Sequence, residues 1–196
     1  MASAAPLPHD PAPPPRVPRA PAHVPGSHTR SGNAMGRTRA GLLDGAVRAF
    51  AERGLRGSTM QSVAAAAGVA KATLYNHFRT KDEVARALLA AELDRLTALV
   101  AGSAPGAALT ALADEVAGHP VLRRVADDEP AVLTGLLASS PERWTELVDR
   151  LTTALGADAD TAELTARWLL GLVLQPGQPT VRRATAERLA HLVRPD

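Results

Sequence analysis

Cysteine is absent from the 196 residues, which removes disulfides, thiolate metal sites and cysteine nucleophiles together. Aromatic residues are only 3% although 45% are hydrophobic, so a core has to be built from leucine, valine and alanine. Alanine and leucine recur at helical spacing from residue 40 onward, and alternating β-branched runs are missing. The expected fold class is all-α. The strongly apolar run Trp168 to Leu174 is interrupted by a glycine and far too short to span a bilayer. Nothing at the N-terminus has the basic-then-apolar order of a secretory signal, so the expectation is a soluble, cytoplasmic protein.

Catalytic constellations are equally scarce. Of six histidines, His9, His23 and His28 lie in the proline-rich N-terminal stretch, and no His-Glu pair has metal-ligand spacing. No glycine-rich phosphate cradle follows a strand, and no serine occupies a nucleophile elbow. The acidic run Asp127, Asp128, Glu129 stands before Pro130 and reads as charge at a helix N-terminus. These absences predict neither an enzyme, nor a cofactor, nor a metal site.

What is present is a segregation of charge. Residues 1–36 sum to +2 and residues 37–81, with eight basic side chains against Asp44 and Glu52, to +6; the overall +2 leaves −6 for residues 82–196. A basic module joined to an acidic one suits a polyanion binder with a separate body. Residues 1–34, dense in proline and poor in large apolar side chains, cannot bury enough surface to offset chain entropy and are expected to be a disordered tail.

From about Arg37 to Arg53, Leu43, Ala46, Val47 and Phe50 recur at helical spacing, and Gly54 with Leu55 behind it looks like a C-terminal cap. Then comes STMQSVAAAAGVAKATLYNHFRTK, residues 58–81. Ser58 and Gln61 suit a capping box opening one short helix, Gly68 a left-handed turn, and Ala70 to Asn76 a second short helix. Ala64, Gly68 and Leu74 stand at the close-contact, turn and core positions of a helix-turn-helix, which would set the second helix across the first and into a major groove. Its outward side offers Lys71, Ala72, Thr73, Tyr75 and Asn76. Thr80 and Glu83 suit another capping box, opening a long helix whose free amides attract phosphate.

The stretch AVRAFAERGLRGSTMQSVAAAAGVAKATLYNHFRTKDEV resembles the DNA-binding domain of the tetracycline-repressor (TetR) family of bacterial transcription regulators, over roughly residues 37–85. The resemblance implies a three-helix DNA-binding domain at 35–81 and a helical regulatory and dimerisation domain at 82–196. It implies base or nearby phosphate contacts from Lys71 and Thr73, with Ala72 and Asn76 on the same face, and phosphate contacts from Tyr75, His77 and Lys81. Ser58 and Thr59, at the start of the preceding helix, would also lie on the backbone. Ala70 and Ala72 depart from the serine and glycine frequent in the family, weakening the cap and trimming one backbone contact.

The partners so implied are an operator duplex, a second copy of the chain and a small apolar ligand that releases a repressor from DNA. His119, Trp144 and Trp168 are candidates for the ligand site. Asp160 and Glu163 would cap the helix that carries Trp168 to Leu174; with the helix Pro141 to Leu155 it is expected to form a dimer seam involving Trp144, Leu151, Trp168, Gly171 and Leu172. The competing readings are a helical interaction or enzymatic protein whose basic helices merely resemble a DNA reader, and an activator of the same build.

Overall fold

A computed structural model of the chain describes residues 28–132 and 141–193, and every regular element among them is an α-helix. In chain order these are α1 (His28–Gly57), α2 (Met60–Ala66), α3 (Lys71–Tyr75), α4 (Lys81–Val100), α5 (Pro105–Gly118), α6 (Pro120–Asp128), α7 (Pro141–Leu155), α8 (Ala159–Leu174) and α9 (Pro179–Ala190). The backbone is already helical at His28, so the first helix starts inside the segment expected to be an unstructured tail. Residues 1–27 of that segment lie outside the described residues. Proline opens α5, α6 and α9, where its missing N–H would have no helical partner.

Gly54 interrupts α1 with φ 71° and ψ 175°, a conformation that only glycine adopts without strain, and so ends the main run of the helix where the sequence places the cap. Two other caps fall elsewhere than expected. Thr59, not Ser58, caps α2: its hydroxyl accepts from the Ser62 amide while Ser62 Oγ accepts from the Thr59 amide. Asp158, not Asp160, caps α8; the amide and hydroxyl of Thr161 both donate to it and hold its carboxyl below the usual range. Thr80 does cap α4, accepting from the Glu83 amide at 3.1 Å.

One apolar cluster joins the first helices to the rest of the molecule. Leu42, Ala46, Phe50, Val63, Leu74 and Phe78 pack in it together with Val121 and Val125 of α6 and Leu172 and Val173 of α8. The core therefore runs across the expected boundary at residue 81. A second cluster, with Val100, Leu109, Leu112, Leu151, Ala162 and Ala186 among its members, fills the far end, and Trp168 and Leu169 touch both. Leu151 and Leu172 are 3% and 7% exposed, so both are core residues of one chain and not the seam residues expected. Their apolar side chains satisfy the fold before any partner arrives.

Candidate nucleic-acid interface

Helix α2 lies close enough to α1 that a Cβ on Gly45 would stand 2.4 Å from the Ala67 Cβ; glycine is required there by the approach of the two backbones. Gly68 turns the chain with φ 69°, and the Val69 amide donates back to the Ala64 carbonyl at 3.0 Å. Ala70 then begins α3 without a side-chain cap, as an alanine there must. Leu74 is fully buried and anchors α3 in the core. The opposite side presents Lys71, Ala72, Tyr75 and Asn76 to solvent, with Thr73 and His77 half-buried at its edges.

Lys71 Nζ sits 5.6 Å above the Tyr75 ring, a cation–π contact that keeps both groups on the outer face. Phe78 is buried, with the Arg39 guanidinium 4.7 Å over its ring. Arg48 Nη2 donates to the Ala66 carbonyl at 2.7 Å and ties the end of α2 to α1. Arg53, Arg56 and Arg79 stay exposed.

Two residues expected at the nucleic-acid surface are used differently. Ser58 is 2% exposed, and its hydroxyl has the carbonyls of Gly54 and Ala49 in reach at 2.7 and 3.1 Å. A side chain so enclosed cannot meet a phosphate. Lys81 Nζ donates to the carbonyls of Leu55, Arg56 and Ser58, so all three of its N–H bonds are committed to the α1–α2 connection. Thr59 remains exposed beside them.

The residues suggested for a ligand do not gather around one cavity. His119 caps α6 at the edge of a cleft of about 320 Å³, where Glu92, Arg95 and Glu115 make the lining charged. Trp144 lies 5.0 Å under the Arg167 guanidinium, and Trp168 is wedged between the two clusters. A wider open groove of about 880 Å³ runs between α4 and α7, past Thr97, Ala98 and Ala101 on one side and Thr145, Asp149 and Ala154 on the other. Among the described residues no three His, Asp or Glu side chains converge as a metal ion would need, and no helix is long and apolar enough to cross a membrane.

Sequence reasoning missed Glu129. The side chain is 8% exposed, and both its carboxylate oxygens accept from the Arg56 amide, at 3.0 and 3.1 Å. The contact joins positions 73 residues apart, and nothing in the local pattern signals it.

Residues 42–88, which span α2 and α3 and their packing against α1 and α4, match the family described as bacterial regulatory proteins, tetR family. The helix-turn-helix segment is of the TetR type. Over 57 residues it is 46% identical to the HTH-type transcriptional repressor KstR2 of Mycobacterium tuberculosis, covering 29% of this chain and 28% of that protein. Over 52 residues it is 42% identical to the HTH-type transcriptional regulator TtgR of Pseudomonas putida, covering 26% and 25%. The matched part thus spans only about a quarter of either relative. Similarity beyond it is carried by structure: a TetR-family regulator from Pectobacterium atrosepticum superposes with a TM-score of 0.54 at 25% identity, covering 82% of this chain and 92% of that one. The TetR-family repressor AlkX from Dietzia sp. gives 0.56 at 20% identity over 78% and 93%, a likeness of fold. An N-terminal helix-turn-helix followed by a helical body, the architecture of these TetR-family structures, fits the order of the described helices α1 to α9.

Proposed function

We propose that the protein is a transcriptional repressor that binds operator DNA as a homodimer in the cytoplasm and is released by a small apolar ligand, with no catalytic activity of its own. The observation that carries the reading is α3: Leu74 is fully buried, while Lys71, Ala72, Tyr75 and Asn76 face outward on a helix short enough to enter a major groove. Lys71 at its first turn suits a base edge or a nearby phosphate; Thr73, at the margin, suits a shallower contact. Tyr75 and His77, with Thr59 at the start of α2, suit the flanking phosphates.

Dimerisation is supported by α8. Asp160, Leu164, Arg167, Gly171 and Leu174 form one exposed stripe at helical spacing, with Leu164 45% and Leu174 59% exposed. Beside it, Trp144 and Trp168 are half-buried. Pairing this stripe and α7 with their copies across a two-fold axis would make a four-helix seam and set two reading helices at a fixed separation. For the ligand, Trp168 between the clusters is the best supported of the three candidates, because leucine, valine and alanine surround it.

The test is binding of the full chain to duplexes selected from a random DNA pool, measured across salt concentrations. A two-fold-symmetric selected sequence, with affinity falling linearly on a log-log salt plot, is expected. Recovery of no preferred sequence would favour the interaction-protein reading.

A further inference from the structure

Glu129 is a buried carboxylate whose position the proposed function does not explain. It leaves the last turn of α6 with φ −133° and ψ 50°, while its amide still donates to the Val125 carbonyl. Among the described residues no lysine or arginine side chain lies within ion-pair distance of it; the partner found is one backbone amide, that of Arg56. Burying a carboxyl group against so few partners is costly, and the cost is tolerated where the contact secures something else.

What it secures is the connection between α1 and α2. The Arg56 peptide is gripped from both sides: its N–H by Glu129 of the body, and its carbonyl, with those of Leu55 and Ser58, by Lys81 at the start of α4. Gly54 makes room for the carboxylate, since a Cβ there would stand 2.1 Å from Glu129 Oε1. Residues 54–58 therefore form a joint, with α6 on one side and the two helices that bracket α3 on the other.

We propose that Glu129 is a positioning residue for operator binding, locking the helix-turn-helix to the end of α6 through the Arg56 amide so that the body sets the separation of the two reading helices. This rests on the DNA-binding, dimeric reading above. In its absence the reading helix keeps its own contacts but loses its fixed orientation.

The experiment uses the full chain, with Glu129→Ala and with Glu129→Gln, which retains one acceptor oxygen. Wild-type protein first selects its duplex from a random pool; binding is then measured to that duplex and to versions with the half-sites moved one or two base pairs closer or further apart. Wild type is expected to fall off sharply with either change. Glu129→Ala should weaken the best duplex on the order of tenfold, keep the wild-type salt slope and show a flattened dependence on spacing. Glu129→Gln should recover part of the sharpness. A Glu129→Ala profile as sharp as wild type, whatever its thermal stability, overturns the proposal. Should the alanine variant not fold, the glutamine variant decides alone, and an unaltered profile again overturns it. Should wild type select no duplex, the DNA-binding reading itself fails. The lock is then judged by hydrogen exchange at the Arg56 amide, expected to be on the order of tenfold faster in Glu129→Ala; an equal rate overturns it.

Discussion

Lys81 Nζ stands 2.9 Å from the Ser58 carbonyl oxygen, one of three bonds that hold the first turn of α4 against the connection between α1 and α2. An ammonium that spends its three donors on carbonyls stabilises the fold and has no N–H left for a phosphate oxygen. Lys81→Ala is therefore expected to lower stability by about 1–3 kcal/mol and to leave the salt slope of DNA binding unchanged. Urea denaturation and a salt titration check the two halves. A slope smaller in magnitude by about two, at roughly 0.9 per phosphate over two subunits, would return the residue to the DNA surface.

Tyr75 and Lys71 touch each other on the outer face of α3 yet should report differently. Tyr75→Phe removes only a hydroxyl from a 43% exposed ring, so thermal stability should hold while all duplexes bind weaker by about 1 kcal/mol. Lys71→Ala should cost about 1–3 kcal/mol at particular base pairs and less elsewhere. A panel of single-base operator substitutions separates a uniform loss from a local one. Uniform loss for Lys71→Ala would make it a phosphate contact.

Gly171 faces open space: beyond its own stretch of helix, nothing lies within 4 Å of where a Cβ would stand. Gly171→Arg should accordingly leave the helical circular dichroism of the monomer intact. In a dimer seam the same arginine carries a desolvation penalty of several kcal/mol, so the variant should sediment as a monomer and lose the selected duplex. Retention of the dimer would move the seam away from this stripe of α8.

Burial holds the His119 imidazole below its ordinary value of 6.5; Glu92 opposes the shift, Arg95 adds to it and Glu115 opposes it. The unfolded chain then binds the proton more readily than the folded one. Stability from this site is complete at neutral pH and is lost as pH falls through about 6.5 toward the lower folded value. His119→Asn keeps a side chain able to cap α6 and removes the titration. Thermal midpoints for the variant should depend less on pH across this window than those of wild type, and parallel curves would refute the assignment.

Deleting residues 1–27 should leave thermal stability and specific DNA binding nearly unchanged, because so few large apolar side chains offer little surface to dock. Loss of DNA affinity alone would identify the tail arginines as an arm on the duplex.

Helix class, the helix-turn-helix and the outward residues of α3 were legible in the sequence because each depends on neighbours a turn or two away: the glycine at 68, the apolar side chain at 74, the hydroxyl at 80 three residues before the amide it caps. Adjacent hydroxyls were already ambiguous. Ser58 and Thr59 offer the same cap chemistry, and only the burial of Ser58 against α1 decided that Thr59 caps α2. Leu151 and Leu172 look alike in sequence whether they serve a core or a seam, and packing against the rest of the chain made them core. The contacts of Lys81 and Glu129 were illegible for a stronger reason. Their partners lie 23 to 26 and 73 residues away, and a charged side chain shows in its own neighbourhood nothing of the backbone groups that folding will bring to it.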